Sequence, residues 1–179
     1  MRAFKVRQNE GYKLLIHPEV LEFIEAEAAK ATRSETGGVL AGRGGLSMGG
    51  AHITDASGPG PKARRTMYSF SRDTTYCQRF LDRLAVESRG EVDYLGEWHK
   101  HHETEPRPSS RDITTSRNIA ASPDYHVEVC VLLIIGRFNS RNSLRAFAVD
   151  RMGQVERMSW GLCTACEYES QPGVLVESV

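Results

Sequence analysis

Three of the chain's six histidines, His99, His101 and His102, lie within four consecutive positions. Residues 93–101 are predicted to form a β-strand, in which successive side chains point to opposite faces. His99 and His101 therefore project to the same side, whereas His102 points elsewhere. Two imidazoles on one face form a candidate pair of zinc ligands.

A third ligand is available from a helix predicted to begin near Ser109. Asp112 lies in its first turn, and three protein ligands with the fourth tetrahedral position left to water are typical of a catalytic zinc site. Each feature also has an ordinary explanation. Adjacent histidines are often simply solvated, and Ser109 with Asp112 fits a helix N-cap with an acid at the third position. The joint pattern, His-x-His, seven residues, then Ser-x-x-Asp, favours the metal site.

A zinc hydrolase also needs a general base that takes a proton from the attacking water. Glu35 is the candidate, because it stands directly before a predicted strand whose first two residues after Thr36 are glycines that permit close backbone approach. On residue type alone the choice is weak, since the chain contains 23 acidic residues.

Two segments together resemble the JAB/MPN (JAMM) metalloprotease family over about residues 12–160: Glu-Thr-Gly-Gly-Val-Leu-Ala-Gly, and His-x-His-x7-Ser-x-x-Asp. The stretch Tyr-Leu-Gly-Glu-Trp-His at residues 94–99 is most similar to small bacterial members. Those are encoded in mobile elements and in antiphage operons, beside ubiquitin-activating-like and ubiquitin-conjugating-like enzymes.

The resemblance implies one zinc per chain and a role for each of five residues. The zinc ligands are implied to be His99, His101 and Asp112, with Glu35 as the acid/base. Ser109 is implied to hydrogen-bond the oxyanion of the tetrahedral intermediate.

The implied activity is that of a zinc metallopeptidase, a hydrolase that removes or processes a ubiquitin-like modifier at its C-terminus. The implied partners are the modifier or its conjugate, and activating-enzyme-like or conjugating-enzyme-like proteins of the same bacterial conjugation or antiphage-defence system. Whether the bond is a linear peptide or an isopeptide bond is left open.

The sequence departs from the family pattern after the second histidine, where His102 and Glu103 replace the usual proline turn. The following loop is rich in Glu and Pro, a composition that disfavours continuation as a paired strand. The loop is therefore expected to be available to line a substrate groove. Glu103 and Glu105 would place negative charge there, which favours a tail or acceptor carrying lysine or arginine. The ordinary explanation is that both are solvated loop charges, in which case the basic residues 62–65 are the next candidates for recognition.

The surrounding pattern predicts one α/β (α+β) domain of MPN-like, cytidine-deaminase-like architecture. A mostly antiparallel central sheet is expected, flanked by about three helices. The expected domain covers residues 1–160, and residues 161–179 form a C-terminal tail or edge extension. Helices are predicted from Pro18, over 73–88 and over 109–121; strands are predicted at 12–16, 37–43, 51–57, 93–101, 126–136, 144–150 and 154–160, with a flexible glycine-rich turn at 44–50.

Composition excludes several classes of protein. The 179 residues carry 23 basic and 23 acidic side chains, a net charge of 0, which is not the excess of basic residues typical of nucleic-acid or anionic-membrane binding. The longest uncharged apolar run, residues 129–135, is far short of the roughly 20 residues that span a bilayer. The N-terminus has no signal-like apolar core, so a cytoplasmic protein with its four cysteines as thiols is expected.

Two other classes of function compete with the protease interpretation. His126 and Glu128, followed by Cys163 and Cys166, match the outline of zinc nucleoside deaminases. However, Leu162 stands where that motif has proline, and His126 opens an apolar run where a deaminase needs a helix start. A non-catalytic MPN-type scaffold or binding module is the other alternative, and the complete set of candidate site residues argues against it.

Overall fold

The computed structural model describes residues 13–45, 50–67, 69–102, 105–138 and 141–163. The chain order is β1 (Lys13–Ile16), α1 (Pro18–Lys30), β2 (Thr36–Gly45), β3 (Gly50–Ala56), β4 (Arg64–Arg65), β5 (Phe70–Ser71), α2 (Thr74–Glu87), β6 (Asp93–Lys100), α3 (Ser110–Ala121), a 3₁₀ turn (Pro123–Tyr125), β7 (Val129–Phe138), β8 (Arg141–Asp150) and β9 (Val155–Leu162). The predicted mixed α/β class and the three predicted helices are confirmed. The glycine-rich turn and the tail lie largely outside the described residues.

The sequence predicts a mostly antiparallel central sheet, whereas the described sheet is a closed barrel in which three of the seven strand pairs are parallel. Its strands close into a barrel in the order β1-β3-β2-β6-β7-β8-β9, with β9 pairing back to β1. Strand β1 runs parallel to both of its neighbours, and β6 runs parallel to β7. The β6–β7 pair is parallel because α3 carries the chain back between the two strands. Alternation of apolar residues predicts which face of a strand is buried but not which strand lies beside it, so the closure and the parallel pairs were not predicted.

The interior of the barrel is an apolar core that α1 closes. The helix begins at Pro18, where a residue without an N–H loses nothing, and its Val20, Ile24 and Ala28 are buried. They pack with fully buried barrel side chains such as Trp98.

A second, smaller cluster lies between the sheet and the other two helices. It contains Val39, Cys77, Tyr94, Ile119 and Cys130. This cluster fixes α2 and α3 against β6, which is the strand that carries the histidines.

Close packing between β2 and β6 requires glycine at the start of β2. A Cβ added at Gly37 would lie 2.3 Å from the carbonyl oxygen of Trp98, and one added at Gly38 would lie 2.0 Å from the carbonyl oxygen of Ser57. That approach lets the Trp98 indole N–H donate to Ser57 O at 2.8 Å. It also places Gly37 opposite His99 in the ladder.

Cys77 and Cys130 are free and buried, as expected of thiols; Cys163 is also buried, and Cys166 lies outside the described residues. Within the described ranges, no helix has both the length and the apolar character needed to cross a membrane.

Candidate metal centre

The two histidines lie at the end of β6, a strand held on both sides. His99 is opposite Gly37 of β2 and Ile134 of β7. The backbone N–H of His101 donates to the carbonyl of Ile135 at 2.8 Å, which extends the ladder just beyond the strand. The positions of both residues are therefore fixed by main-chain hydrogen bonds to the centre of the barrel.

The structure brings His99, His101 and Asp112 together, with one ligand atom from each lying within 4.8 Å of the others. His99 Nδ1 is 2.9 Å from Asp112 Oδ1, and His101 Nε2 is 3.4 Å from Asp112 Oδ2. Donors bound to a tetrahedral zinc at about 2.1 Å lie roughly 3.4 Å apart. Two imidazoles and one carboxylate at this spacing fit zinc in both chemistry and size.

Asp112 is oriented by a capping box at the start of α3. The backbone N–H and the hydroxyl of Ser109 both donate to Asp112 Oδ2, at 2.7 and 2.6 Å, and the Asp112 N–H donates to Ser109 Oγ at 3.2 Å. The ordinary N-cap explanation of the Ser-x-x-Asp pattern is therefore correct. It is compatible with the metal site, because the cap aims the carboxylate at both imidazoles.

The cluster favours positive charge even before a metal is considered. Burial disfavours the imidazolium, but hydrogen bonds with Asp112 and Glu97 outweigh it and raise the pKa of His99 to about 9. Burial also disfavours the Asp112 carboxylate, yet hydrogen bonds from His101 and His99 hold its pKa far below the usual range. The pocket thus holds a cation between fixed acids, which is the electrostatic environment that a divalent ion needs.

Sequence reasoning missed Glu97 and Arg72, which adjoin the cluster. Glu97 is 2% exposed. Its Oε2 is 3.2 Å from His99 Nε2, and its Oε1 is in an ion pair with Arg72. Burial raises the pKa of Glu97, but the hydrogen bond from His99 and the charge of Arg72 outweigh burial, so the pKa lies below its usual value. The signal for Glu97 was present, because a residue two positions before His99 on a strand shares its face.

Glu35 directly precedes β2, next to the strand end that carries the histidines. Its backbone N–H donates to the carbonyl of Thr66 at 2.9 Å, and the residue is half-buried. The ladder pairs Gly37 with His99 and Thr36 with Lys100, so Glu35 comes next, at the end of β6 where His101 lies. The backbone register therefore places Glu35 opposite the strand end that carries the histidines, and Glu35 is not one of the three clustered donors.

The loop after β6 agrees only in part with the expectation of an acidic groove. His102 is exposed and is not among the clustered donors. Glu103 lies outside the described residues. Glu105 forms ion pairs with Arg107 and Arg145, each at 2.8 Å, and these hydrogen bonds lower its pKa. The charge of Glu105 is therefore matched by two arginines, and this part of the loop is not a free negative surface.

Within the described part of the chain, His126, Glu128 and Cys163 of the competing deaminase motif are not among the clustered metal donors, and Cys166 lies outside it. His126 has a positive φ of 53° and follows the 3₁₀ turn, in the connection to β7. It does not open a helix, as the deaminase arrangement would require.

A closed α/β barrel that gathers two histidines and an aspartate at the end of one strand can hold a metal ion of the kind used in hydrolysis. Residues 17–150 match the family described as prokaryotic homologs of the JAB domain. The chain belongs to this family, as its motifs predict.

Curated relatives from three bacteria agree with this assignment. One from Enterobacter hormaechei subsp. hoffmannii, named CD-NTase/cGAS isopeptidase, is 32% identical over 72% of this chain and 71% of its own length. One of the same name from Escherichia coli is 36% identical over 59% of this chain and 64% of its own. A probable metalloprotease, y4qB, from Sinorhizobium fredii is 34% identical over 69% of this chain and 76% of its own.

Among solved structures, a Desulfitobacterium hafniense protein studied in solution matches with a TM-score of 0.66 at 18% identity. The match covers 87% of this chain and 96% of that one. At this identity the similarity establishes the fold alone.

Proposed function

We propose that this chain is a zinc-dependent isopeptidase that releases a ubiquitin-like modifier from a conjugate. The observation that carries the proposal is the His99, His101 and Asp112 cluster, whose donors lie within 4.8 Å of one another. The names of the Enterobacter hormaechei and Escherichia coli relatives support the choice of an isopeptide bond, and they favour a CD-NTase as the conjugated partner.

Each residue of the site has a separate task. The two imidazoles and the Asp112 carboxylate would hold one zinc, which supplies a Lewis acid that activates water and polarises the scissile carbonyl. Glu35 takes the proton of the attacking water and later delivers it to the leaving amine. Ser109 has a hydroxyl that can turn from the Asp112 carboxylate toward the developing oxyanion.

The test is a comparison of three variants for metal content and cleavage. Elemental analysis should find one zinc per wild-type chain and per Glu35→Gln chain, and none in His101→Ala. A CD-NTase purified as its isopeptide-linked conjugate is the substrate. General acid–base catalysis contributes about 10²–10⁴-fold, so the loss of Glu35, which serves in two proton transfers, should lower kcat by at least this factor.

Glu22→Gln is the matched control, because Glu22 is an exposed acid on α1, away from the cluster. It should retain both zinc and activity. A wild type that binds the conjugate but cleaves it no faster than Glu35→Gln would favour the alternative function, a non-catalytic scaffold. A wild type that cannot be loaded with zinc would refute the metalloenzyme.

A further inference from the structure

A buried ion pair between Glu97 and Arg72 contacts His99, one of the candidate metal ligands. Glu97 lies on β6 with its side chain 3% exposed, and Arg72, in the segment that leads into α2, pairs with its Oε1. The other oxygen, Oε2, is 3.2 Å from Nε2 of His99. Both carboxylate oxygens are therefore engaged, one by a fixed cation and one by the imidazole.

The His99 ring is held between two acids. Its Nδ1 faces Asp112 within the metal cluster, and its Nε2 faces Glu97 away from it. A carboxylate that accepts the N–H of one ring nitrogen fixes the tautomer, so that the lone pair of the other nitrogen is presented to a metal. The same hydrogen bond makes the imidazole a stronger donor.

We propose that Glu97, anchored by Arg72, is a positioning residue that orients His99 for metal binding. The inference rests on the proposed zinc site but not on the identity of the bond that is cleaved. Glu97 acts through His99 and is neither a metal ligand nor the general base, because its carboxylate is already paired on both oxygens.

Arg72 has the geometry of an anchor. A buried carboxylate without a partner is strongly destabilising, so Glu97 requires a cation at this position. Arg72 directly precedes Asp73, the N-cap of α2, whose side chain accepts from Tyr76 N and whose N–H donates to the carbonyl of Pro59 at 2.8 Å. The segment that carries the arginine is thus fixed at both its helix and its loop side. The Tyr94 hydroxyl lies 3.5 Å from the same Glu97 oxygen and limits its movement further.

The ordinary explanation is that the Glu97–Arg72 pair only stabilises the fold. Measuring zinc affinity distinguishes this structural role from the positioning role. The dissociation constant for zinc is measured by competition with a chromophoric chelator for wild type, Glu97→Gln, Arg72→Leu and the double variant. Loss of a partner that orients a ligand typically weakens metal binding by about 10–100-fold. We expect this range for Glu97→Gln, and we expect the double variant to match it, since Arg72 acts through Glu97.

The double variant also guards against misfolding, because it leaves no lone charge buried. A spectroscopic readout is added by loading each protein with Co²⁺, whose visible absorption bands report the geometry of the ligands. These bands should shift in the Glu97 variants. Val20→Ala is the matched control: it removes buried methyl groups from α1, outside the Glu97–Arg72 pair, so it lowers the melting temperature but leaves zinc affinity and the cobalt spectrum unchanged.

The outcomes separate the inference from the proposed function. If wild type binds zinc and the Glu97 variants bind it within about twofold of wild type, with unchanged cobalt spectra, the positioning role is refuted and the pair is structural. If wild type itself binds no zinc, the proposed function fails, and the positioning role loses its ground with it. Weaker binding in the Glu97 variants with unchanged binding in Val20→Ala supports the inference.

Discussion

Replacing Gly37 by alanine should disturb the barrel at the point where it meets the metal centre. The new Cβ would lie 2.3 Å from the carbonyl oxygen of Trp98 and 2.9 Å from ring atoms of both His99 and Phe70. Ordinary contacts between non-bonded heavy atoms are about 3.5 Å, so β2 and β6 would have to separate locally by roughly 1 Å. The closest obstacle is backbone, which cannot rotate away as a side chain could.

The expected cost follows from these contacts. Overpacking a tight site costs about 1–3 kcal/mol, and straining a ladder hydrogen bond beside His99 adds about 1 kcal/mol. For a chain of 179 residues, each kcal/mol lowers the melting temperature by about 2–4 °C. A total near 3 kcal/mol therefore predicts a melting temperature about 6–12 °C below that of wild type for Gly37→Ala.

Gly161→Ala is the matched control, because it is the same substitution in another strand of the same barrel. Its Cβ would meet only Leu15 Cδ2, at an ordinary 3.9 Å. The lower entropy of the unfolded chain should leave this variant as stable as wild type or about 0.4–1 kcal/mol more stable. Thermal unfolding followed by circular dichroism on the metal-free proteins compares them. Equal melting temperatures for the two variants would refute the argument that β2 needs glycine to approach β6.

Two further outcomes concern charge. In metal-free protein the folded pKa of His99 is about 9, above its ordinary 6.5, so its stabilising contribution, at most about 3 kcal/mol, is complete below pH 6.5 and is lost as the pH rises through 9. The free energy of unfolding of chelator-treated wild type should therefore fall over that interval, and that of His99→Ala should not. If the two proteins show the same dependence of unfolding free energy on pH, the assignment is contradicted. Glu105→Lys would add a third positive charge beside Arg107 and Arg145. Because this charge repels lysine, KM for a lysine-linked conjugate should rise several-fold at low salt and less at high salt. A KM that is unchanged at both salt concentrations would place recognition elsewhere, with residues 62–65 next to be tested.

The parts of the fold that were predictable are those determined by local chemistry. α1 begins at the predicted Pro18, and α3 begins next to the predicted N-cap, Ser109. β7, Val129–Phe138, occupies most of the predicted apolar run. The two-residue strands β4 and β5 were not predicted, since so short a pair has no periodicity to detect. Closure of the barrel was not predictable either, because the pairing of β1 with both β3 and β9 depends on neighbours distant in sequence.

The residues of the candidate site can likewise be separated into those that local sequence predicts and those that depend on tertiary contacts. Its three donors come from two short segments with fixed spacing, so the spacing alone could predict them. Glu97 is an intermediate case: an acid within the buried strand β6 is an unusual residue that needs a partner. Strand alternation places it on the face of His99, but no pattern names Arg72, whose position depends on how the segment before α2 packs across β6. What orients a ligand in this fold is therefore a tertiary contact, and variants of Arg72 test whether that contact, rather than the motif alone, determines the affinity for the metal.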